Sequence, residues 1–216
     1  MHSLLREGLE PGVSAVNHAT RVERDTLPVA HRYYGYKMTD DTGFAPCVTE
    51  SFLSLACCMT SVRKRAQKDS WIAGFGGAAL GHGKLIYLMQ VERAMTFDEY
   101  FKTTELKGRF DNIYFLTNGE YLQVPTARCH KNSADWKHDT SVDRILIARR
   151  FVYFGCSKVD VPSRFHDFIP HARTYRCTDG ERVDAFVTWA FAKGAGIAGK
   201  PHMPLLPSPS ALVGIS

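Results

Sequence analysis

The stretch that most constrains this chain lies between residues 51 and 91. An apolar run, Phe52 to Cys58, is followed by a short basic segment, Ser61 to Lys68, and then by a second apolar run, Trp71 to Phe75. A glycine-rich turn separates this run from a third one, Lys84 to Val91. Apolar runs of this length are typical of strands, and the basic segment is long enough for one or two helical turns. The predicted order is strand, cationic helix, strand, turn and strand, and it suggests a site.

Other elements are predicted on both sides of this stretch. Thr96 is followed three residues later by Glu99, a capping-box pattern that predicts the start of a short helix. The dipeptide Asn118-Gly119 lies between two short apolar runs and is typical of a two-residue β-hairpin turn. Strands are expected at 31–38, 111–116, 120–124 and within 144–154, and an amphipathic helix at 181–193.

The fold class follows from the number and length of these elements. The chain has 216 residues, which is enough for one domain with its own core. About five to seven short strands and no alternation of long helices with strands argue against a Rossmann-type sheet. We predict an α+β fold, a small mixed β-barrel with short helices and a C-terminal helix. The domain is expected at 30–193, with an N-terminal extension at 1–29 and an irregular C-terminal tail at 194–216.

Composition narrows the class of protein. Hydrophobic residues make up 44% and charged residues 23% of the chain, as in globular domains, and no apolar stretch approaches the roughly 20 residues of a membrane-spanning helix. The N-terminus has no apolar secretory segment, so we expect a cytoplasmic protein whose six cysteines are reduced. Cys57 and Cys58 are expected on opposite faces of a strand, as packing residues. No zinc-type spacing is present, and neither a metal nor a cofactor is predicted.

The glycine-rich turn invites comparison with a phosphate-binding loop. It begins with Gly74-Phe75-Gly76-Gly77 and ends with Gly81-His82-Gly83. The Gly-Lys-Ser/Thr ending of such a loop is missing, because Gly83-Lys84 is followed by Leu85. We therefore interpret the segment as a turn that connects two strands.

Basic residues favour an anionic partner. The formal charge is +5 and the isoelectric point is about 8.9. Four cations cluster after the first apolar run, where they form either a solvated face or a contact with phosphates; they are Arg63, Lys64, Arg65 and Lys68. Trp71 or Tyr87 offers a ring on which a base can stack, although both positions are also typical of core residues. Ser61 is either the N-cap of the basic helix or a phosphate ligand.

A polar segment at 126–141 suggests a catalytic alternative. It contains His130, Asp135, His138 and Asp139, and a histidine beside a carboxylate is the minimum for general acid/base chemistry. The candidate catalytic residues are His138, Asp139 and His130. The sequence has no H-E-x-x-H pattern, no deaminase signature and no nucleophile-elbow motif, so a polar surface loop remains the alternative interpretation.

Several segments together resemble a known family, the second of the nucleotide modification associated domains, which occurs beside enzymes that elaborate DNA bases in phages and bacteria. The resemblance covers about residues 31 to 160. The segments that carry it are Asp41-Thr-Gly-Phe-Ala-Pro46, Leu55-Ala-Cys-Cys58, Ser61-Val-Arg63, Asp69-Ser-Trp-Ile-Ala-Gly74, Gly83-Lys-Leu-Ile-Tyr87, Phe97-Asp-Glu-Tyr-Phe101, Asp111-Asn-Ile-Tyr114 and Phe151-Val-Tyr-Phe-Gly155. The layout around the basic helix also looks like that of PUA-like barrels such as the EVE and ASCH domains.

The resemblance implies a protein that binds nucleic acid or a modified nucleotide. PUA-like relatives bind RNA or modified DNA bases in a cleft beside the barrel, so the expected partners are DNA or RNA, with no membrane. The alternatives are a nuclease or base-processing enzyme and a non-catalytic protein-interaction module in a base-modification or phage-defence system. This chain departs from its family in the extension at 1–29, which offers a surface for a protein partner, and in the basic triplet at 63–65.

Overall fold

The structure is a computed structural model that describes residues 32–177 and 179–204. The predicted N-terminal extension and residues 205–216 of the predicted tail lie outside the described residues. None of the described helices is long and apolar enough to cross a membrane. The strands are β1 (Tyr33–Met38), β2 (Cys47–Val48), β3 (Leu53–Leu55), β4 (Trp71–Gly76), β5 (Leu85–Gln90), β6 (Arg93–Met95), β7 (Tyr114–Thr117), β8 (Glu120–Gln123), β9 (Ile145–Ala148), β10 (Phe151–Tyr153), β11 (Thr174–Cys177) and β12 (Gly196–Ile197).

Helices are short apart from the last one. The α-helices are α1 (Thr60–Arg65), α2 (Phe97–Lys102), α3 (Ser133–Thr140) and α4 (Gly180–Phe191). Short 3-10 helices occupy Ala78–Leu80, Thr104–Leu106, Gly155–Ser157 and Ser163–Phe168. The predicted order of strand, cationic helix, strand, turn and strand is confirmed as β3, α1, β4, the glycine-rich turn and β5.

The described strands form three sheets. The largest has the order β11-β1-β4-β5-β10-β12, in which β1 and β4 are parallel and β4 and β5 antiparallel. A four-stranded sheet has the order β2-β3-β9-β6, and β7 and β8 form a separate hairpin. The predicted α+β class is confirmed. The predicted PUA-like barrel is not confirmed, because these sheets are not closed into a barrel.

Local sequence signals explain several elements. Asn118 and Gly119 have φ angles of 50° and 82°, which a tight hairpin turn requires, and the predicted hairpin is confirmed as β7 and β8. The predicted capping box at the start of α2 is confirmed, since the Thr96 side chain accepts a hydrogen bond from Glu99 N and Glu99 bonds back to Thr96 N. The predicted C-terminal helix is confirmed as α4.

Two boundaries near the basic helix differ from the prediction. The strand predicted through Cys58 ends at Leu55, as β3. Helix α1 begins at Thr60 with Met59 as its N-cap, so Ser61 lies inside the helix and does not cap it. The residues between Leu55 and Thr60 form a turn, and this turn contains the site described below.

Trp71 and Tyr87 belong to the hydrophobic core. Trp71 is 1% exposed and meets Phe191 of α4 edge-on at a centroid distance of 5.9 Å. Tyr87 is fully buried, and its hydroxyl donates to the Tyr36 hydroxyl at 2.9 Å. Neither ring has an exposed face on which a base could stack. Both residues are therefore core residues, and they do not form a stacking surface.

A buried polar network fixes β3 next to the site. The Arg109 guanidinium donates to Ser54 Oγ at 2.7 Å, and the Asp111 carboxylate accepts hydrogen bonds from Ser54 Oγ at 2.5 Å and from the Tyr100 hydroxyl at 2.8 Å. All four residues are buried. Since Ser54 is in β3, these bonds hold the strand that leads into the turn at Cys58.

The segment at 194–204 is tied to the domain. Strand β12 pairs with β10, and the main-chain N–H of Cys156 donates to Lys200 O at 2.7 Å. Asp41 accepts hydrogen bonds from the main-chain N–H groups of His202 and Met203. This part of the predicted irregular tail therefore packs on the domain.

Candidate active site

The turn between β3 and α1 holds Cys58 in a strained conformation. Cys58 has a φ of 58° and Met59 a φ of 34°, in the left-handed region that residues other than glycine rarely adopt. Two hydrogen bonds fix the Cys58 backbone. Its N–H donates to Asp139 Oδ1 at 2.7 Å, and its carbonyl accepts from Arg63 Nε at 2.9 Å. A strained cysteine between a strand and a helix has the setting of a nucleophile elbow, which no sequence motif had indicated.

His130 links Cys58 to a buried carboxylate. Its Nε2 lies 3.6 Å from Cys58 Sγ, and its Nδ1 lies 2.5 Å from Asp139 Oδ2. The ring of Phe44 meets the imidazole edge-on at 4.9 Å, and Gln123 Nε2 donates to the carbonyls of Cys129 and His130 at 3.1 Å each. A thiol, an imidazole and a carboxylate are thereby placed in line, in the order of a nucleophile, its base and the group that orients the base.

Asp139 and His130 form an ion pair. Asp139 is fully buried and also accepts a hydrogen bond from the Tyr114 hydroxyl at 2.9 Å. Burial acts to raise the pKa of Asp139, but hydrogen bonds and the charge of His130 lower it below its usual value. Burial acts to lower the pKa of His130, while its bonds to Asp139 and Cys58 and the negative charge of Asp139 raise it to about 10. At neutral pH the pair is therefore an imidazolium and a carboxylate.

Arg63 has a structural role in this site. Its side chain is fully buried, and its guanidinium donates to the carbonyls of Cys58, Asp139, Val142 and Arg144 at 2.6 to 3.2 Å. A guanidinium with these bonds has no face open to a phosphate. The sequence-based interpretation of Arg63 as a phosphate ligand is therefore corrected: it joins the Cys58 turn to the end of α3.

The other predicted binding residues lie at the surface. Lys64, Arg65 and Lys68 are exposed, and Ser61 is half-buried. His138 is exposed on α3, and its Nε2 lies 3.4 Å from Thr60 Oγ1 at the start of α1. The structure thus brings His130 and Asp139 together. His138 lies in α3 next to Asp139, but on the exposed side of that helix.

Cys57 lies near this pair without joining its hydrogen bonds. Ligand atoms of Cys57, His130 and Asp139 lie within 4.8 Å of one another, a spacing that a metal ion could use. However, Cys57 is fully buried, and burial raises the pKa of its thiol well above the usual value, whereas a metal needs the thiolate. The Nδ1 atom of His130 is already bonded to Asp139. The arrangement therefore fits acid/base chemistry better than metal binding.

Sequence reasoning missed the central residue of the site. The apolar run that Cys58 ends predicts a strand, and no motif distinguishes Cys58 from Cys57. The sequence predicts a hairpin at Tyr114 and Gln123 but no role in a site for either residue. Four of the segments that carry the family resemblance converge here, since they contribute Phe44, Cys58, Arg63 and Tyr114. Their convergence in space was not visible in the sequence.

The structure defines an α+β protein with a Cys–His–Asp arrangement in a turn that follows a strand. The chain belongs to the family of nucleotide modification associated domain 2, which matches residues 30–206. This confirms the family that the sequence segments indicated. No curated protein and no solved structure matches the chain.

Proposed function

We propose that this protein binds nucleic acid or a modified nucleotide and processes its base, with Cys58 as the nucleophile. The observation that carries the proposal is the contact of Cys58 Sγ with His130 Nε2, while Nδ1 of the same ring is bonded to the buried Asp139. The family supports a nucleotide-related substrate. Of the two histidines among the candidate catalytic residues, His130 contacts both Cys58 and Asp139, whereas His138 contacts Thr60.

The first step is attack by sulfur. Cys58 attacks in its thiolate form, which is the reactive form of cysteine, with the imidazolium of His130 beside the sulfur. Sγ forms a bond to an electrophilic carbon of the substrate, the bond from that carbon to the leaving group breaks, and Nε2 of His130 gives its proton to the leaving group. A covalent thio-intermediate and a neutral imidazole result.

The second step is hydrolysis. The neutral His130 takes a proton from a water molecule, and the oxygen of that water attacks the same carbon. The bond from carbon to sulfur breaks, which regenerates the thiolate and the imidazolium. Asp139 orients the ring and stabilises its positive charge throughout, as the third member of such a set does in known hydrolases.

Exposed cations supply the binding part of the proposal. Lys64 lies four residues after Thr60 in α1, so both residues share a face of that helix, and Thr60 contacts His138 of α3. Arg128 and Lys131, both exposed, flank His130 in the chain. Cations near a nucleophile favour a substrate with phosphates. Arg65 and Lys68 extend the positive charge along and beyond α1.

The proposed chemistry is tested by searching for a product and for a covalent adduct, with a variant of another cysteine as the control. The protein is incubated with mononucleotides and with short DNA and RNA that contain unmodified, hydroxymethyl or glycosyl pyrimidines. Nucleosides are then analysed by mass spectrometry, and the intact protein is weighed to detect an adduct. We expect a product or an adduct that disappears in Cys58→Ser and His130→Gln and persists in Cys156→Ser, where an exposed thiol is replaced. A product that persists in Cys58→Ser, or no product and no adduct with any substrate, contradicts the proposal.

A second candidate is a non-catalytic reader of nucleic acid. The observation that favours it is the exposure of three clustered cations, Lys64, Arg65 and Lys68. A reader binds modified or unmodified strands without changing them, and replacement of Cys58 leaves its affinity intact. Fluorescence anisotropy of the wild type and Cys58→Ser with the same oligonucleotides therefore separates the two candidates.

A further inference from the structure

A cavity of about 490 Å³ lies apart from the Cys58 site. It is bounded by Lys37 at the end of β1, by His82 in the glycine-rich turn, and by His166 and His171 from the segment between β10 and β11. Its volume is in the range of about 300 to 1,000 Å³ that small-molecule sites occupy. Val161 of its wall belongs to the same core cluster as Trp71, whereas Cys57 and Tyr114 belong to another cluster.

Most polar side chains that line the cavity carry nitrogen. Three imidazoles and one ammonium group line it together with a single carboxylate, that of Asp160. This carboxylate is already paired with Lys84, whose Nζ lies 2.8 Å from Asp160 Oδ1. The cavity therefore has an excess of donors and cations, which is the composition that binds phosphate or carboxylate groups.

Hydrogen bonds to the main chain hold two of the basic side chains in place. Lys37 Nζ donates one of its three protons to the carbonyl of His171 at 2.9 Å, and the others remain for a ligand. His166 Nε2 lies 2.9 Å from the carbonyl of Val161 and therefore carries a proton directed at that oxygen. The Nδ1 atom of His166 has no hydrogen bond to the residues that the structure describes. Groups held in this way bind a ligand with little loss of side-chain freedom.

Two glycines of the glycine-rich turn are needed for the shape of the cavity wall. Gly81 and Gly83 have φ angles of 81° and 76°, which favour glycine, and they place His82 between them at the cavity. The sequence of the turn lacks the lysine and hydroxyl ending of a phosphate loop. In the folded chain, Lys37 of β1 supplies the missing ammonium group, and the two histidines after β10 add imidazole nitrogens.

We propose that this cavity is a second binding site, distinct from the Cys58 site, for a small molecule that bears a phosphate group. The phosphate lies between Lys37 and the imidazoles of His82 and His171, and the rest of the molecule packs against an apolar wall formed by Val161, Ile169 and Pro170. The site does not depend on the proposed catalysis, because it shares no residue with the Cys58 site.

Calorimetric titration of the full chain tests the proposal. The ligands are inorganic phosphate, a nucleoside monophosphate, the matching nucleoside without phosphate, and a short oligonucleotide with and without a terminal phosphate. We expect the monophosphate to bind and the nucleoside to bind at least about tenfold more weakly, because hydrogen bonds to charged groups contribute the most to affinity. Binding of inorganic phosphate alone points to the free anion, and binding of the phosphorylated oligonucleotide end alone points to a polymer terminus.

Variants locate the bound phosphate. The double variant His82→Gln and His171→Gln replaces two exposed imidazoles, and His202→Gln replaces an exposed histidine outside the cavity. We expect the double variant to weaken binding at least about fivefold and His202→Gln and Cys58→Ser to leave it unchanged. The proposal is overturned if no phosphate compound binds, or if the double variant binds as the wild type does. Loss of phosphate binding in Cys58→Ser alone places the anion at the Cys58 site and overturns the second site, while leaving the proposed catalysis intact.

Discussion

Cys58 and Asp139 are 81 positions apart in the chain, yet the Asp139 carboxylate accepts a hydrogen bond from the main-chain N–H of Cys58 at 2.7 Å. The same carboxylate is bonded to His130 Nδ1, whose ring contacts Cys58 Sγ through Nε2. One buried group therefore fixes both the strained backbone of Cys58, the proposed nucleophile, and the ring of His130, its proposed base. Changes at Asp139 are expected to affect the reactivity of the thiol and the stability of the fold together.

The first prediction concerns the reactivity of Cys58. Nε2 of His130 lies 3.6 Å from Cys58 Sγ and favours reaction at this sulfur, so we expect iodoacetamide at pH 6 to modify Cys58 at least about tenfold faster in the wild type than in His130→Gln. Peptide mass spectrometry after timed quenching measures the rate at each cysteine. The exposed Cys156 in the same protein is the internal reference, and its rate is expected to be unaffected. Equal rates at Cys58 in both proteins would falsify the nucleophile assignment.

Replacement of Asp139 tests how much its ion pair with His130 stabilises the fold. In Asp139→Asn the imidazolium loses its counter-ion, and we expect a loss of about 2 to 4 kcal/mol in the free energy of unfolding. Tyr114→Phe removes only one of the hydrogen bonds to the carboxylate and is expected to cost about 1 kcal/mol. Urea unfolding followed by fluorescence measures both. A cost in Asp139→Asn no larger than in Tyr114→Phe would show that the ion pair does not stabilise the site.

The pH dependence of stability follows from His130. Its pKa in the folded protein is raised to about 10 from a usual value of 6.5, so between these values the folded state holds a proton that the unfolded state has lost. The stabilisation is complete below pH 6.5 and is lost as the pH rises through 10. We expect the difference in unfolding free energy between the wild type and His130→Gln to shrink over this range.

Urea unfolding of both proteins at several pH values between 6 and 10 makes this measurement. The comparison with His130→Gln removes the contributions of titrating groups that do not contact His130, and measuring both proteins in a Cys58→Ser background removes that of the neighbouring thiol. Asp139 acts in the opposite direction, since its pKa is lowered: its contribution is present above its usual pKa and is lost as the pH falls through the lowered value. A difference that stays constant from pH 6 to 10 would contradict the raised pKa of His130.

Much of the fold could be predicted from local signals. The order of β3, α1, β4 and β5 was visible because apolar runs and a basic segment alternate, and the hairpin was visible because Asn118 and Gly119 tolerate positive φ angles. Closure of a barrel depends on how distant strands pair. Local pattern contains no information on this, and the prediction of a barrel was not confirmed.

The site was only partly predictable for a related reason. His130 and Asp139 stood out as a histidine and a carboxylate in one polar segment. Cys58 did not, because a cysteine that ends an apolar run looks the same in a strand and in a strained turn. Its conformation is set by two hydrogen bonds, one that its N–H donates to Asp139 and one that its carbonyl accepts from Arg63, and the first of these joins residues far apart in sequence. The positive charge of Arg63 was similarly misleading as a sign of a surface phosphate ligand. Its burial is compensated by four carbonyls, one from the Cys58 turn, one from the end of α3 and two from the loop that follows α3.

Arg63 gives the next prediction. Lysine cannot reproduce the four hydrogen bonds of its guanidinium, so we expect Arg63→Lys to lower the free energy of unfolding by about 3 kcal/mol. Arg65→Lys is the matched control, because Arg65 is exposed in the same helix and this substitution also preserves the positive charge. Thermal and urea unfolding are the measurements. An Arg63→Lys variant as stable as the wild type, with weakened binding of DNA or RNA, would restore the interpretation of Arg63 as a phosphate ligand.

The last prediction concerns the exposed cations after the Cys58 turn. If Lys64, Arg65 and Lys68 contact phosphates, each contact releases counterions, and the logarithm of the affinity falls with the logarithm of salt concentration by about 0.9 per contact on duplex DNA. Replacement of all three by alanine is expected to lower the affinity and to reduce this slope by about 2 to 3. The control removes three exposed cations elsewhere, in Lys107→Ala, Arg149→Ala and Lys193→Ala. Fluorescence anisotropy at four salt concentrations measures both slopes. Both variants change the net charge equally. A larger loss of affinity and slope in the first variant shows that phosphates contact these three positions, whereas equal losses would mean that binding depends only on the net charge of the protein.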